Sequence, residues 1–193
     1  MTAATETATK TSTAAPGTVT TWKIDPAHSA AEFKVKHMMI SNVKGKFSGL
    51  SGALKLDETN YAHSTVDASI PVSTINTGED QRDGHLKSAE FFDADKFPAM
   101  TFKSTNIDST GGGSYEVTGD LTIRGVTKPV VLKVEDVSEP SKDPWGNHRI
   151  GLTGTTKINR KDFGVSYNSA LETGGVLVGE EVAITLDLQF IKQ

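Results

Sequence analysis

The sequence predicts an all-β protein, an antiparallel sandwich or barrel of about eight strands, interrupted by one short helix. Two observations carry this. Apolar and polar residues alternate with a period of two over many short stretches, the pattern of strands with one buried face. Glycine-, asparagine- and proline-rich turn signals separate these stretches at short intervals. A third observation places the helix: only the segment from Ile75 to Met100 breaks the alternation.

The elements follow in order. Met1 to Val19 is rich in Thr and Ala and lacks apolar periodicity, so a disordered extension is expected over residues 1–21 and a single β domain over 22–193. Trp22-Lys23-Ile24 opens the fold and Asp25 to Ser29 turns the chain. Ala31, Phe33, Val35 and His37 then alternate with Glu32, Lys34 and Lys36, and Val43, Gly45 and Phe47 with Asn42, Lys44, Lys46 and Ser48. Leu50, Gly52, Leu54 and Leu56 form the next apolar face. Val66, Ala68, Ile70 and Val72 follow, with Pro71 suggesting an edge strand or a bulge.

Thr77, three residues ahead of Asp80, fits an N-cap with a carboxylate at N3. Leu86, Ala89 and Phe91 or Phe92 recur at helical spacing, and Asp93 and Pro98 end the segment. Strands resume at Thr101–Ile107, and Asp108–Ser114 makes a hairpin. Tyr115 to Ile123 alternates strictly, Arg124-Gly125-Val126-Thr127 makes a tight turn, and Val130, Leu132 and Val134 continue. A loop over Glu139–Asn147 carries Trp145, Arg149–Lys157 is a strand, and Asn159–Gly164 is a short helical turn. Ser166–Gly175 reads as a flexible segment. Val182, Ile184, Leu186, Leu188 and Phe190 mark one face of the last strand.

Composition narrows the function. The net charge is −4, so no basic field favours nucleic acid. There are no cysteines, which excludes disulfides, thiolate metal sites and a cysteine nucleophile. No stretch is long and apolar enough to form a membrane-spanning helix. The start lacks the basic residues and apolar run of a secretory signal, which favours the cytoplasm.

His28, His37, His63, His85 and His148 show no paired ligand spacing, and Asp80, Asp83 and His85 fan around their helix, so no metal site is expected. No G-x-S-x-G elbow or triad motif indicates a catalytic nucleophile, and no cofactor motif is present. An apolar interior is the remaining candidate. Phe33, Val35, Phe47, Leu54, Leu56, Val66, Ile70, Met100, Phe102, Val117, Leu121, Ile123, Leu132, Val182, Ile184 and Leu186 sit on faces that can point inward. Such residues either fill a small barrel or line a cavity, and a filled interior is the more ordinary outcome.

Several fragments together resemble the YceI-like family of lipid- or polyisoprenoid-binding proteins. They begin with Trp22–Ser29, Phe33–His37 and Val43–Phe47. The insert contributes Asn76-Thr77-Gly78, Gln81-Arg82-Asp83, His85–Ser88, Phe91-Phe92-Asp93 and Phe97-Pro98. Thr101–Ser104, Gly119–Val130, Asp143–Gly146 and Ile158–Gly164 complete the series. The resemblance runs from Trp22 to the C-terminus.

It implies an extended, lipocalin-like barrel, often a homodimer, whose long apolar lumen holds an isoprenoid chain such as a quinone tail or a polyprenyl (pyro)phosphate. It thereby favours a cavity over a filled core. Many relatives carry a secretory signal, and this chain shows none. The expected function is a non-enzymatic carrier, store or sequestering protein, with Arg82 and His85, and Asn76 and Arg160 behind them, as head-group candidates. Alternatives stand beside it: Arg82 as an ion-pair partner of Asp80 or Asp83, His85 as a packed residue, an enzyme acting on the lipid through lumenal His37 or Ser104, and a fully packed structural or stress-response barrel.

Overall fold

The computed structural model describes residues 18–172 and 174–193. Residues 1–17, where most of the expected disordered extension falls, lie outside them. Eleven strands form one sheet: β1 (Val19–Ile24), β2 (Ala30–His37), β3 (Ser41–Phe47), β4 (Ser51–Asp57), β5 (Thr65–Pro71), β6 (Ala99–Gly111), β7 (Ser114–Ile123), β8 (Val126–Glu135), β9 (Ser141–Lys142), β10 (His148–Asn159) and β11 (Val178–Lys192). The order is β3-β2-β11-β1-β4-β5-β6-β7-β8-β10-β9, and β11 also pairs with β10. That last pairing, from Arg149↔Ile191 to Asn159↔Glu181, closes a barrel.

Eight antiparallel staves make the barrel, because β1 and β2 lie end to end along the same edge of β11. β1 pairs with Phe190–Lys192 and β2 with Val178–Asp187. β4 then pairs with β1 and β3 with β2, so β3 and β4 also act as one long stave broken near Gly49. Strand pairing among the described residues begins at Val19, opposite Asp57. Pro71 marks neither an edge nor a bulge: β5 lies between β4 and β6, and Pro71 is its last residue, where a missing N–H costs least.

Trp22 is fully buried, and its indole N–H donates to Thr20 Oγ1 at 2.9 Å. The β7–β8 hairpin turns through Arg124 and Gly125, both at positive φ, the twist that suits a two-residue turn. Arg124 then ties this turn to two other segments, donating to the carbonyls of Gly164 and Ala89.

The helix is α1 (Asp80–Lys87), shorter than the apolar spacing suggested. Its N-cap is Glu79, whose carboxylate accepts from the N–H groups of Gln81 and Arg82, and not Thr77. Thr77 instead donates its N–H and hydroxyl to the buried Asp83 carboxylate, at 2.9 and 2.6 Å. After Lys87 the chain folds into turns that bury Phe91. The expected helical turn after β10 is a 3₁₀ turn over Arg160–Phe163, capped by Asn159 and ended by Gly164 at positive φ. The segment read as flexible is anchored by Asn168, which donates to the Val178 carbonyl and accepts from the Val178 N–H.

Candidate functional site: an apolar cavity along the barrel

Alternation along each stave sends every second side chain inward, and the closed barrel leaves the inward set around a cavity of about 290 Å³. All sixteen residues assigned to an inward face from the sequence line it, from Phe33 and Val35 on β2 to Val182, Ile184 and Leu186 on β11. Two glycines make room for rings that line it. A Cβ on Gly45 would stand 2.5 Å from the Phe33 ring, and one on Gly119 would stand 2.3 Å from the Phe102 ring and 2.6 Å from the Lys103 carbonyl oxygen. Both rings therefore occupy the space a Cβ would take on the neighbouring strand, a close approach only glycine permits.

Other lining residues were not singled out from the sequence. Ile150, Leu152 and Ile158 on β10 carry the same period-two signal and were legible in principle. Leu86, Phe91 and Phe92 from the helical insert and Phe163 and Val165 around the 3₁₀ turn have no such signal. They line the wall where β10 ends and β11 begins. The opposite end is bordered by Tyr61, Tyr115, Ser138 and Pro140.

Of the four head-group candidates, the structure brings only Arg160 to the cavity wall. Arg160 is buried, the only buried charge among the lining residues described. Its Nε donates to Gly179 O at 2.8 Å, Nη1 to Val165 O at 2.6 Å and Nη2 to Val178 O at 3.1 Å. These are three carbonyl dipoles and no carboxylate. Burial lowers its pKa, but a guanidinium keeps its charge in proteins. Two of its five N–H groups remain without an acceptor among the described residues.

The other three are occupied elsewhere. Asn76 is exposed, accepts from the Gly78 N–H and bridges to Lys46 through its backbone. Arg82 makes no ion pair with Asp80 or Asp83; its Nε donates to Thr77 Oγ1 at 2.7 Å and Nη2 to the Thr77 carbonyl at 3.1 Å. His85 is 2.6 Å from a Glu90 carboxylate oxygen and stands edge-on to Phe91 and Tyr167, with its side chain 41% exposed. The two polar groups an enzymatic reading would use, His37 and Ser104, do not line the cavity, and Ser104 Oγ accepts from the Val66 N–H.

A second polar cluster went unseen because its members are far apart in sequence. Arg149, at the start of β10, donates from Nη1 to Asp25 Oδ2 at 2.6 Å and from Nε to Asp143 Oδ2 at 2.7 Å. His28 Nδ1 is 2.9 Å from the same Asp25 oxygen. The Arg149 guanidinium, then His28, hold the Asp25 pKa down at about 2. Arg149 likewise depresses Asp143, and both carboxylates raise the Arg149 pKa.

With that geometry in view, comparison with known proteins is direct. The model of the YceI-like domain matches residues 22–190. The chain belongs to the YceI-like family. A UPF0312 protein of Vibrio cholerae is 40% identical over 144 residues, 75% of this chain and 76% of that one. A UPF0312 protein of Staphylococcus aureus is 39% identical over 173 residues, 89% and 98% of the two chains. Among solved structures, BcnA of Burkholderia cenocepacia superposes with a TM-score of 0.75 at 28% identity, covering 86% of this chain and 98% of that one. The Campylobacter jejuni YceI protein does so at 0.69 and 30% identity, covering 82% and 90%. A polyisoprenoid binding domain from Saccharophagus degradans shares the fold, with a TM-score of 0.65 at 16% identity over 91% and 100% of the two chains. This YceI-like barrel thus has the family's architecture, and among its described residues no helix is long and apolar enough to cross a membrane.

Proposed function

We propose that the YceI-like barrel binds one long, flexible, apolar chain of the polyisoprenoid class in its lumen and acts as a carrier or store, without transforming it. The observation that carries this is the cavity of about 290 Å³ walled almost entirely by aliphatic and aromatic side chains. A fully packed barrel leaves that space unaccounted for. Burial of apolar surface contributes about 0.8 kcal/mol per CH₂, so an isoprene unit contributes on the order of 3 kcal/mol before ordering costs. A few units then bind tightly with little polar help. The description of the Saccharophagus degradans neighbour as polyisoprenoid binding supports the same ligand class.

Arg160 is the proposed head-group contact, because it is the buried charge on the wall and a bidentate donor suits phosphate. A quinone carbonyl is the neutral alternative for the same donors. The test is titration with polyprenyl phosphate and ubiquinone in wild type and in two lumen-filling variants, Ala68→Phe and Thr156→Phe, whose positions line the cavity. Wild type should take up one chain, and each variant should bind at least about tenfold more weakly with its fold intact. Equal uptake by the variants would place the ligand outside the barrel.

A further inference from the structure

The β2–β3 hairpin carries a surface that lumenal binding does not explain. Its turn is His37-Met38-Met39-Ile40, closed by a hydrogen bond from Ile40 N–H to the His37 carbonyl at 3.2 Å. Met38 and Met39 both sit at positive φ, 51° and 62°. Three residues separate the paired His37 and Ser41, and positive φ at the first two favours Asn-Gly, since bulky residues are disfavoured there. Here it holds two methionines followed by isoleucine. None of the three is tucked away: Met38 is 40% exposed, Met39 57% and Ile40 80%.

Behind this apolar tip the hairpin is basic. Lys34 and Lys36 on β2 and Lys44 and Lys46 on β3 are all exposed. Lys34 lies directly opposite Lys44 in the register, a like-charge pairing that destabilises a sheet. None of the four is in an ion pair among the described residues. The only acidic residue within the hairpin strands is Glu32, opposite Lys46. On the other side of β2, Ala183 faces Lys34 and Thr185 faces Glu32, while Glu180 and Glu181, in the irregular stretch of β11 beside Lys36, are taken up by Lys161 and Lys157. Lysines on an edge strand deter sheet-to-sheet association. That role does not require an exposed Met-Met-Ile tip in a strained turn, nor lysines opposite each other.

We propose that this hairpin docks the protein on anionic lipid bilayers, with Met38, Met39 and Ile40 entering the interface and Lys34, Lys36, Lys44 and Lys46 meeting lipid phosphates. An apolar wedge ringed by unpaired cations has the chemistry of an anionic membrane surface. It stands out on a chain whose net charge is −4. The position fits as well. His37 pairs with Val178, and Val178 and Val35 line the cavity, so the hairpin projects beside the lumen end where Arg160 sits. Docking would set that end against the source of an isoprenoid cargo, a step that rests on the carrier reading.

The experiment is flotation of the full chain with vesicles of phosphatidylglycerol mixed with phosphatidylcholine, against phosphatidylcholine alone. Binding should require the anionic lipid and weaken with salt. Lys34→Gln with Lys44→Gln should weaken it about 25-fold, at about fivefold for each lysine. Met38→Asn with Met39→Gly is the second variant. It installs the residues this turn prefers, so it should raise Tm while weakening vesicle binding by about tenfold or more. Equal binding to both vesicle types, or wild-type affinity in either variant, overturns the proposal; so does a hairpin that engages only a protein. Isoprenoid uptake from detergent, measured in parallel, separates the two readings. Docking without uptake refutes the carrier, and uptake without docking refutes the hairpin.

Discussion

Two arginines stand at opposite ends of β10, eleven residues and roughly 35 Å of extended strand apart. Arg149 is held between two carboxylates, Asp25 and Asp143, and the contacts raise its pKa. Arg160 is held by three backbone carbonyls, and burial lowers its pKa. The first is neutralised within the protein and joins the Asp25 turn, the Asp143 loop and β10. The second is a cation inside an apolar wall with no carboxylate bonded to it. Charge paired with carboxylates at one end and with backbone carbonyls at the other fits a structural clamp and the head-group contact proposed above.

Substitutions sharpen this contrast. Arg149→Met removes the shared partner of two carboxylates and should cause the largest fall in Tm, with little effect on lipid affinity in the protein that remains folded; thermal melts and titrations check both. Gly119→Ala drives a methyl group into the Phe102 ring and the Lys103 carbonyl. Overpacking of this kind should cost about 2 kcal/mol in denaturant unfolding, and it should displace Phe102 and alter lumen volume.

Arg160→Met acts on the ligand as well as on the fold. It takes the side-chain donor from the Gly179, Val165 and Val178 carbonyls, so stability should fall by about 2 kcal/mol. The preference for polyprenyl phosphate over the uncharged polyprenol should fall by about tenfold. If Arg160→Met instead unfolds the protein while Arg149→Met does not, the two roles are reversed.

Acid titration of wild type against Arg149→Met probes the clamp. The Asp25 pKa is lowered from 3.8 to about 2 in the folded state. A depressed pKa means that this stabilisation is complete above about pH 4 and is lost as pH falls through about 2. Wild type should therefore lose stability across that window, and in Arg149→Met the Asp25 contribution to the loss should shrink to what His28 and the Ala27 N–H still hold. The smallest effect belongs to Arg82→Ala. It removes two hydrogen bonds to Thr77 and should cost about 1 kcal/mol while leaving lipid preference unchanged.

What was legible in the sequence tracks the range of the interaction that fixes each feature. The lumen was legible because a strand's inward face repeats every two residues whatever its partners. Phe33 to Leu186 all fell where the alternation placed them. The joining of β1 with β2 into one stave was not, because it depends on β11 lying along both. Thr77 has the residue type of an N-cap and Glu79 does not, so local spacing pointed to Thr77. Glu79 caps the helix, while Thr77 donates to Asp83 six residues on. The Asp25–Arg149 clamp spans 124 residues and leaves no local pattern. Arg160 was visible as a candidate, whereas its burial followed from the 3₁₀ turn folding back on Gly179 and Val178.

The most direct test of lumenal binding is native mass spectrometry of the protein purified from the cells that make it, followed by organic extraction of what it carries. A single isoprenoid at one per chain, retained by Arg149→Asn in its folded fraction and lost from Ala68→Phe, is the expected result. A chain that emerges ligand-free and takes up neither ubiquinone nor polyprenyl phosphate would contradict it.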